Sequence, residues 1–166
     1  MELEERVAEL ERRMAALERG DGAVPPPAEG DFWALEGLKS RLAGAGAADG
    51  GVLFTGAVRL PTGERYEWQY GVLADEQLDG DWTEAAESFA ALGHPVRLRL
   101  LREILGGRRT AAELAELEEI GTTGQIYHHV RQLTGAGWLH TAGRGRYEVP
   151  PGRVVPLLVA LATARP

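Results

Sequence analysis

Cysteine is absent from the chain, which excludes disulfides, thiolate metal sites, iron–sulfur clusters and cysteine nucleophiles together. Lysine is almost absent too: among 18 basic side chains only Lys39 is not an arginine, so single arginines carry little information by themselves. No apolar run approaches the roughly 18 residues that span a bilayer. Eight charged side chains among the first thirteen residues leave no room for the apolar stretch of a signal peptide. A cytoplasmic protein without membrane contact is the expectation. There is no glycine-rich phosphate loop and no nucleophile set beside a base, and the acids mostly sit in heptad or loop positions, so neither an enzyme nor a cofactor is expected.

What is present is a composition of 44% apolar and 26% charged residues over 166 positions, that of an ordinary globular protein. The net charge of −7 hides a division: residues 1–92 sum to −11 and residues 93–166 to +4. Only the second half is suited to meet a polyanion. At the N-terminus, Leu3, Val7, Leu10, Met14 and Leu17 alternate spacings of four and three, a heptad seam. In a parallel pair Arg6 would face Glu11 and Arg13 would face Glu18 across the seam, so residues 1–19 are expected to form a coiled-coil dimerisation helix. Residues 20–31 carry three consecutive prolines between glycines and read as an extended linker.

The next segment, 32–82, changes period. Leu35, Leu38 and Leu42 mark a short amphipathic helix, followed by alternation at Val52, Phe54, Val58 and Leu60, a Pro61-Thr62-Gly63 turn, and alternation at Tyr66, Trp68, Tyr70 and Val72. This is a β-hairpin with one large apolar face, which the helix at 32–42 is expected to cover because a bare hairpin is marginal in water. An acidic loop at 75–81 is expected to close the module. Trp33, Tyr66, Trp68 and Tyr70 are most simply core residues of this module; the alternative is an apolar pocket for a small-molecule or protein effector.

From Thr83 the punctuation becomes helical. One helix is expected to end at Gly93-His94-Pro95, and a second to run from Val96 to Leu105. Two capping boxes follow, Thr110 with Glu113 and Thr122 with Gln125, marking successive helix starts about a dozen residues apart. That is a helix-turn-helix pattern. On the second helix Ile126, Val130 and Leu133 share a face, while Tyr127, His128 and Arg131 point the other way, with Gln125 and Gln132 at the margin. Trp138–Ala142 and Arg146–Val149 read as two short strands about Gly143-Arg144-Gly145, a wing. The expected architecture over 83–151 is therefore a winged helix-turn-helix, and the whole chain is α+β. His94, His128, His129 and His140 do not fall at ligand spacing with one another or with carboxylates, so no metal site is expected.

Through Ala91-Leu92-Gly93-His94-Pro95-Val96-Arg97-Leu98-Arg99-Leu100-Leu101, the Thr122–Leu133 helix and Ala136-Gly137-Trp138-Leu139, the sequence resembles the ArsR-type winged-helix repressors over residues 84–164. The resemblance implies a homodimer that binds an operator on double-stranded DNA and releases it on a signal. It also implies dimerisation through terminal helices. The closing segment 152–166, apolar nearly all round at Val155, Leu158 and Leu161, would supply one of them. The residues expected to meet DNA are Thr123, Gln125, Tyr127, His128, Arg131, Gln132, Arg144 and Arg146. The alternative function is a protein–protein interaction module, with the acidic half docking a partner and the winged helix serving as scaffold.

Overall fold

The computed structural model describes Val7 and residues 32–118, 120–143 and 145–164. Val7 is helical and exposed; the other heptad residues Leu3, Leu10, Met14 and Leu17, and the linker 20–31, lie outside the described residues. The elements run α1 (Trp33–Ala45), β1 (Gly51–Arg59), β2 (Arg65–Leu73), α2 (Ala74–Asp79), α3 (Thr83–Leu92), α4 (Pro95–Leu105), α5 (Ala111–Ala115), α6 (Thr123–Gly135), β3 (His140–Thr141), β4 (Tyr147–Glu148) and α7 (Pro151–Thr163). Among the described residues no helix is long and apolar enough to cross a membrane.

The core is built by the C-terminal half. Leu100, Leu101 and Ile104 of α4, Leu114 of α5, Ile126, Val130 and Leu133 of α6, and Val154 and Leu157 of α7 are all buried in one cluster. Each such side chain contributes about 1.5–3 kcal/mol on burial. Local signals set the helix starts: Pro95 occupies the first turn of α4, and the His94 ring nitrogen Nδ1 accepts from the Val96 amide at 3.2 Å. Both capping boxes form as the spacing requires.

The expected hairpin forms, with Phe54 opposite Tyr70, Gly56 opposite Trp68 and Val58 opposite Tyr66. Gly63 takes the left-handed conformation at φ 92° that the turn needs. Its covering element is not the expected one. α1 buries no residue, Trp33 is 69% exposed, and Leu42 reaches only the end of the hairpin at Gly51. Part of the apolar hairpin face is instead covered by α7, which leaves Trp68 and Tyr70 partly exposed. A side-chain carbon added at Gly56 would lie 2.7 Å from the Val155 Cγ1 atom, so the glycine is what lets helix and sheet approach this closely. Val155, expected between subunits, is therefore spent inside its own subunit at 1% exposure. Leu158 is half-buried against the same core and Leu161 remains exposed.

The hairpin tip docks on the C-terminal half. Leu60 is buried in the common core, and the Thr62 methyl lies against Gly107 in the loop after α4. The 32–82 segment thus does not close on itself. The expected acidic loop differs as well: Ala74–Asp79 is a short helix, with the Trp82 indole N–H donating to the Gln77 carbonyl at 2.8 Å.

Candidate nucleic-acid interface

α5 and α6 are joined through Ile120, which is buried, and Gly121, whose φ of 103° turns the chain into the second capping box. Thr122 accepts from the Gln125 amide through its hydroxyl, while the Gln125 carbonyl Oε1 takes the Thr122 amide at 2.8 Å. Gln125 is exposed, but its acceptor oxygen is committed to the cap. Burial of Ile126, Val130 and Leu133 then leaves Thr123, Tyr127, His128 and Arg131 facing solvent along the outer side of α6. Tyr127 is 46% exposed although aromatic, and Arg131 forms no ion pair among the described residues.

Gln132 is exposed as well, but its carbonyl is engaged within the chain. Its carbonyl oxygen accepts from the Arg97 Nη1 atom at 2.6 Å, and Arg97 also donates to the backbone carbonyls of Ala90 and Ala91 at the C-terminal end of α3. The carbonyl is therefore part of a clamp between α3, α4 and α6, at the edge of the outward row. Nothing in the local pattern marks Gln132 apart from Arg131; the partner lies 35 residues away.

The wing is shorter than the sequence pattern, with two-residue strands His140–Thr141 and Tyr147–Glu148. Glycines at 143 and 145, both at φ 71°, make the connection. A third segment supports its base: Thr110 bridges to Arg146, and the Tyr147 amide donates to the Arg109 carbonyl at 2.6 Å. Arg146 is exposed; Arg144 lies outside the described residues.

Beneath the wing lies an ion-pair group invisible in the sequence pattern. Arg109, with only 14% of its side chain exposed, donates to Glu148 of β4 at 2.9 Å and to both oxygens of Glu64 in the hairpin turn at 2.8 and 2.6 Å. Its hydrogen bonds hold the Glu64 carboxyl below the usual carboxylate range, with the Thr62 hydroxyl adding to the effect. One guanidinium thereby ties the hairpin to the wing.

His94, His128 and His129 lie near one another. His94 and His129 stack with centroids 4.7 Å apart and His128 lies edge-on to His129 at 5.7 Å, but no group of three potential ligands occurs among the described residues. Burial, followed by the charges of His94, Arg97 and His128, keeps the His129 ring below the ordinary histidine range. Its Nδ1 is buried with no hydrogen-bond partner.

The four residues of the candidate effector pocket part company. Tyr66 packs against the common core, where burial pushes its hydroxyl above the ordinary tyrosine range. Trp33 stands out in solvent on α1. Trp68 and Tyr70 do border a groove, but its other walls come from α3, α7 and Trp138, which the sequence reading did not assign to it.

A family model described as a helix-turn-helix domain, of a kind found in ArsR-type regulators, matches residues 92–141, from the end of α3 into the wing. No curated protein matches the chain, and no solved structure does. The segment is a helix-turn-helix domain, and α6 is the second helix of its α5–α6 pair.

Proposed function

We propose that the chain is a sequence-specific DNA-binding transcriptional regulator, a cytoplasmic homodimeric repressor of the ArsR type without catalytic activity. The observation that carries this reading is the division of α6: three buried aliphatic residues on one side, and Thr123, Tyr127, His128 and Arg131 exposed on the other, beside a wing bearing Arg146. In a winged helix-turn-helix the second helix enters the major groove, where such side chains meet base edges, while the wing meets backbone or minor groove. The +4 balance of residues 93–166 supports the same orientation toward DNA.

A two-fold pair would present two such helices to half-sites about one helical turn apart. Exposed Leu161 and half-buried Leu158 on α7 offer an apolar strip for that pairing, supplemented by the heptad residues at the N-terminus. The test is recovery of bound sites by genome-wide occupancy, followed by titration of the recovered duplex against a scrambled one. A symmetric preferred site bound far more tightly supports the reading. Equal weak binding to both favours the interaction module, for which the single outward arginine of α6 is the supporting feature.

A further inference from the structure

A groove of about 640 Å³ opens between the apolar hairpin face, α3 and α7. Its size falls within the range of small-molecule sites. Its walls are aromatic: the Phe54 and Tyr70 rings lie 5.7 Å apart and tilted by 41°, with Trp68 beside them, Phe89 on α3 and Trp138 ahead of the wing. Phe89 is 63% exposed, a large apolar side chain with little of its own chain upon it.

Among the described residues two formal charges line the groove, Glu84 and Arg153. The Arg153 guanidinium sits 5.0 Å over the Trp138 ring and pairs with no carboxylate among the described residues. A stacked guanidinium keeps its N–H edge free for a planar anion. Flat apolar walls with one available cation are matched by a flat ring bearing one negative charge, and Glu84 disfavours a polyanion in the same space.

The groove also touches both flanks of the wing. Trp138 precedes β3, and Gly152 and Arg153 follow β4. The Trp138 indole donates to the Ser88 carbonyl on α3 at 3.1 Å, so a ligand against these residues bears on the stem from which the wing emerges.

We propose that this groove is an effector site for a planar aromatic monocarboxylate, its carboxylate on Arg153 and its ring among Trp68, Tyr70 and Phe89, and that occupancy changes DNA affinity through the wing. The second half of this statement rests on the DNA-binding reading; the first does not.

The test is calorimetric titration of the full chain with 2-naphthoate and with its neutral counterpart 2-naphthamide. Naphthoate should bind saturably, and Arg153→Gln should weaken it about 10- to 100-fold, the loss expected for a charge-assisted hydrogen bond. Naphthamide should bind the parent about as weakly as naphthoate binds the variant. Arg153 is exposed, so an unchanged thermal midpoint separates this from misfolding. Ala160→Trp, which fills the groove from α7, should abolish binding of both probes. No binding up to about 5 mM, a limit far weaker than typical effector affinities, equal binding of the two probes, or binding that survives Ala160→Trp overturns the site. Sedimentation of the same variants supplies another check: a parent dimer that Ala160→Trp dissociates, without probe binding, makes the groove an interface between copies and overturns the proposal. With duplex present, naphthoate should shift the parent's DNA affinity at least about 5-fold and leave Arg153→Gln unmoved. Probe binding without that shift overturns the coupling. A chain that binds no duplex at all contradicts the DNA-binding reading, and the calorimetric arms then decide the site alone.

Discussion

Replacing Arg109 by Ala removes the link between the hairpin turn and the wing, and its cost can be worked from the geometry. The guanidinium is 14% exposed, whereas the Glu64 and Glu148 side chains are 38% and 32% exposed, so the pairs are neither dry nor fully solvated. A hydrogen bond to a charged group contributes about 1.5–3 kcal/mol and an exposed ion pair about 0.2–1. Discounting the two-oxygen contact with Glu64 for solvent leaves about 1 kcal/mol, with a similar amount from Glu148, for a total near 2. The pH dependence has a definite sign. Glu64 is depressed in the folded protein, so its contribution is full above the unfolded carboxylate value of about 4.3 and is lost as pH falls through the lower folded value. Urea unfolding of parent and variant should therefore show a gap of about 2 kcal/mol at neutral pH that narrows below about pH 4. Arg109→Lys should recover only part of the loss, because a point charge cannot fork to two carboxylates. A gap under about 0.5 kcal/mol, the scale of an ordinary surface substitution, or a gap that does not change with pH, would refute the reasoning.

Gly56→Val should destabilise by about 1–3 kcal/mol through overpacking against Val155, and Val155→Ala in the same chain should recover part of that loss; equal costs in the two backgrounds would contradict the contact. Arg131→Ala should weaken the preferred duplex by about 1–3 kcal/mol and random duplex much less, as measured by fluorescence anisotropy. Gln132→Ala should instead be read in thermal unfolding, because its carbonyl is held by Arg97; loss of sequence preference with unchanged stability would return Gln132 to the DNA face. Leu161→Arg should lower dimer affinity in sedimentation, and an unaltered dimer would move the contact away from α7.

Where a signal is local, the sequence was legible. Thr110 with Glu113 and Thr122 with Gln125 announce their helices because a capping box needs only residues three apart. The hairpin followed from alternation and a glycine turn for the same reason. The cover of the hairpin was not legible, because it depends on Gly56 meeting Val155 across about a hundred residues, and a glycine shows no pattern that announces a neighbour. The outward row of α6 followed from its period, yet Gln132 at its edge was claimed by Arg97, a choice made by tertiary contact. Arg109 looked like one arginine among many; only the fold brings Glu64 and Glu148 to it.

The central claim, that this helix-turn-helix domain reads DNA, is tested most directly by anisotropy titrations of the full chain on a duplex recovered by genomic occupancy and on its scrambled counterpart, across a salt series. The account predicts a preference of at least about 10³-fold for the recovered site. It also predicts that replacing Arg144 and Arg146 by Ala lowers the slope of log affinity against log salt by up to about 3–4, similarly on both duplexes, for four lost phosphate contacts per dimer. If at about 50 mM salt, a condition favouring phosphate contacts, the parent binds the recovered duplex no more tightly than the scrambled one and no more tightly than the wing variant does, the account is contradicted.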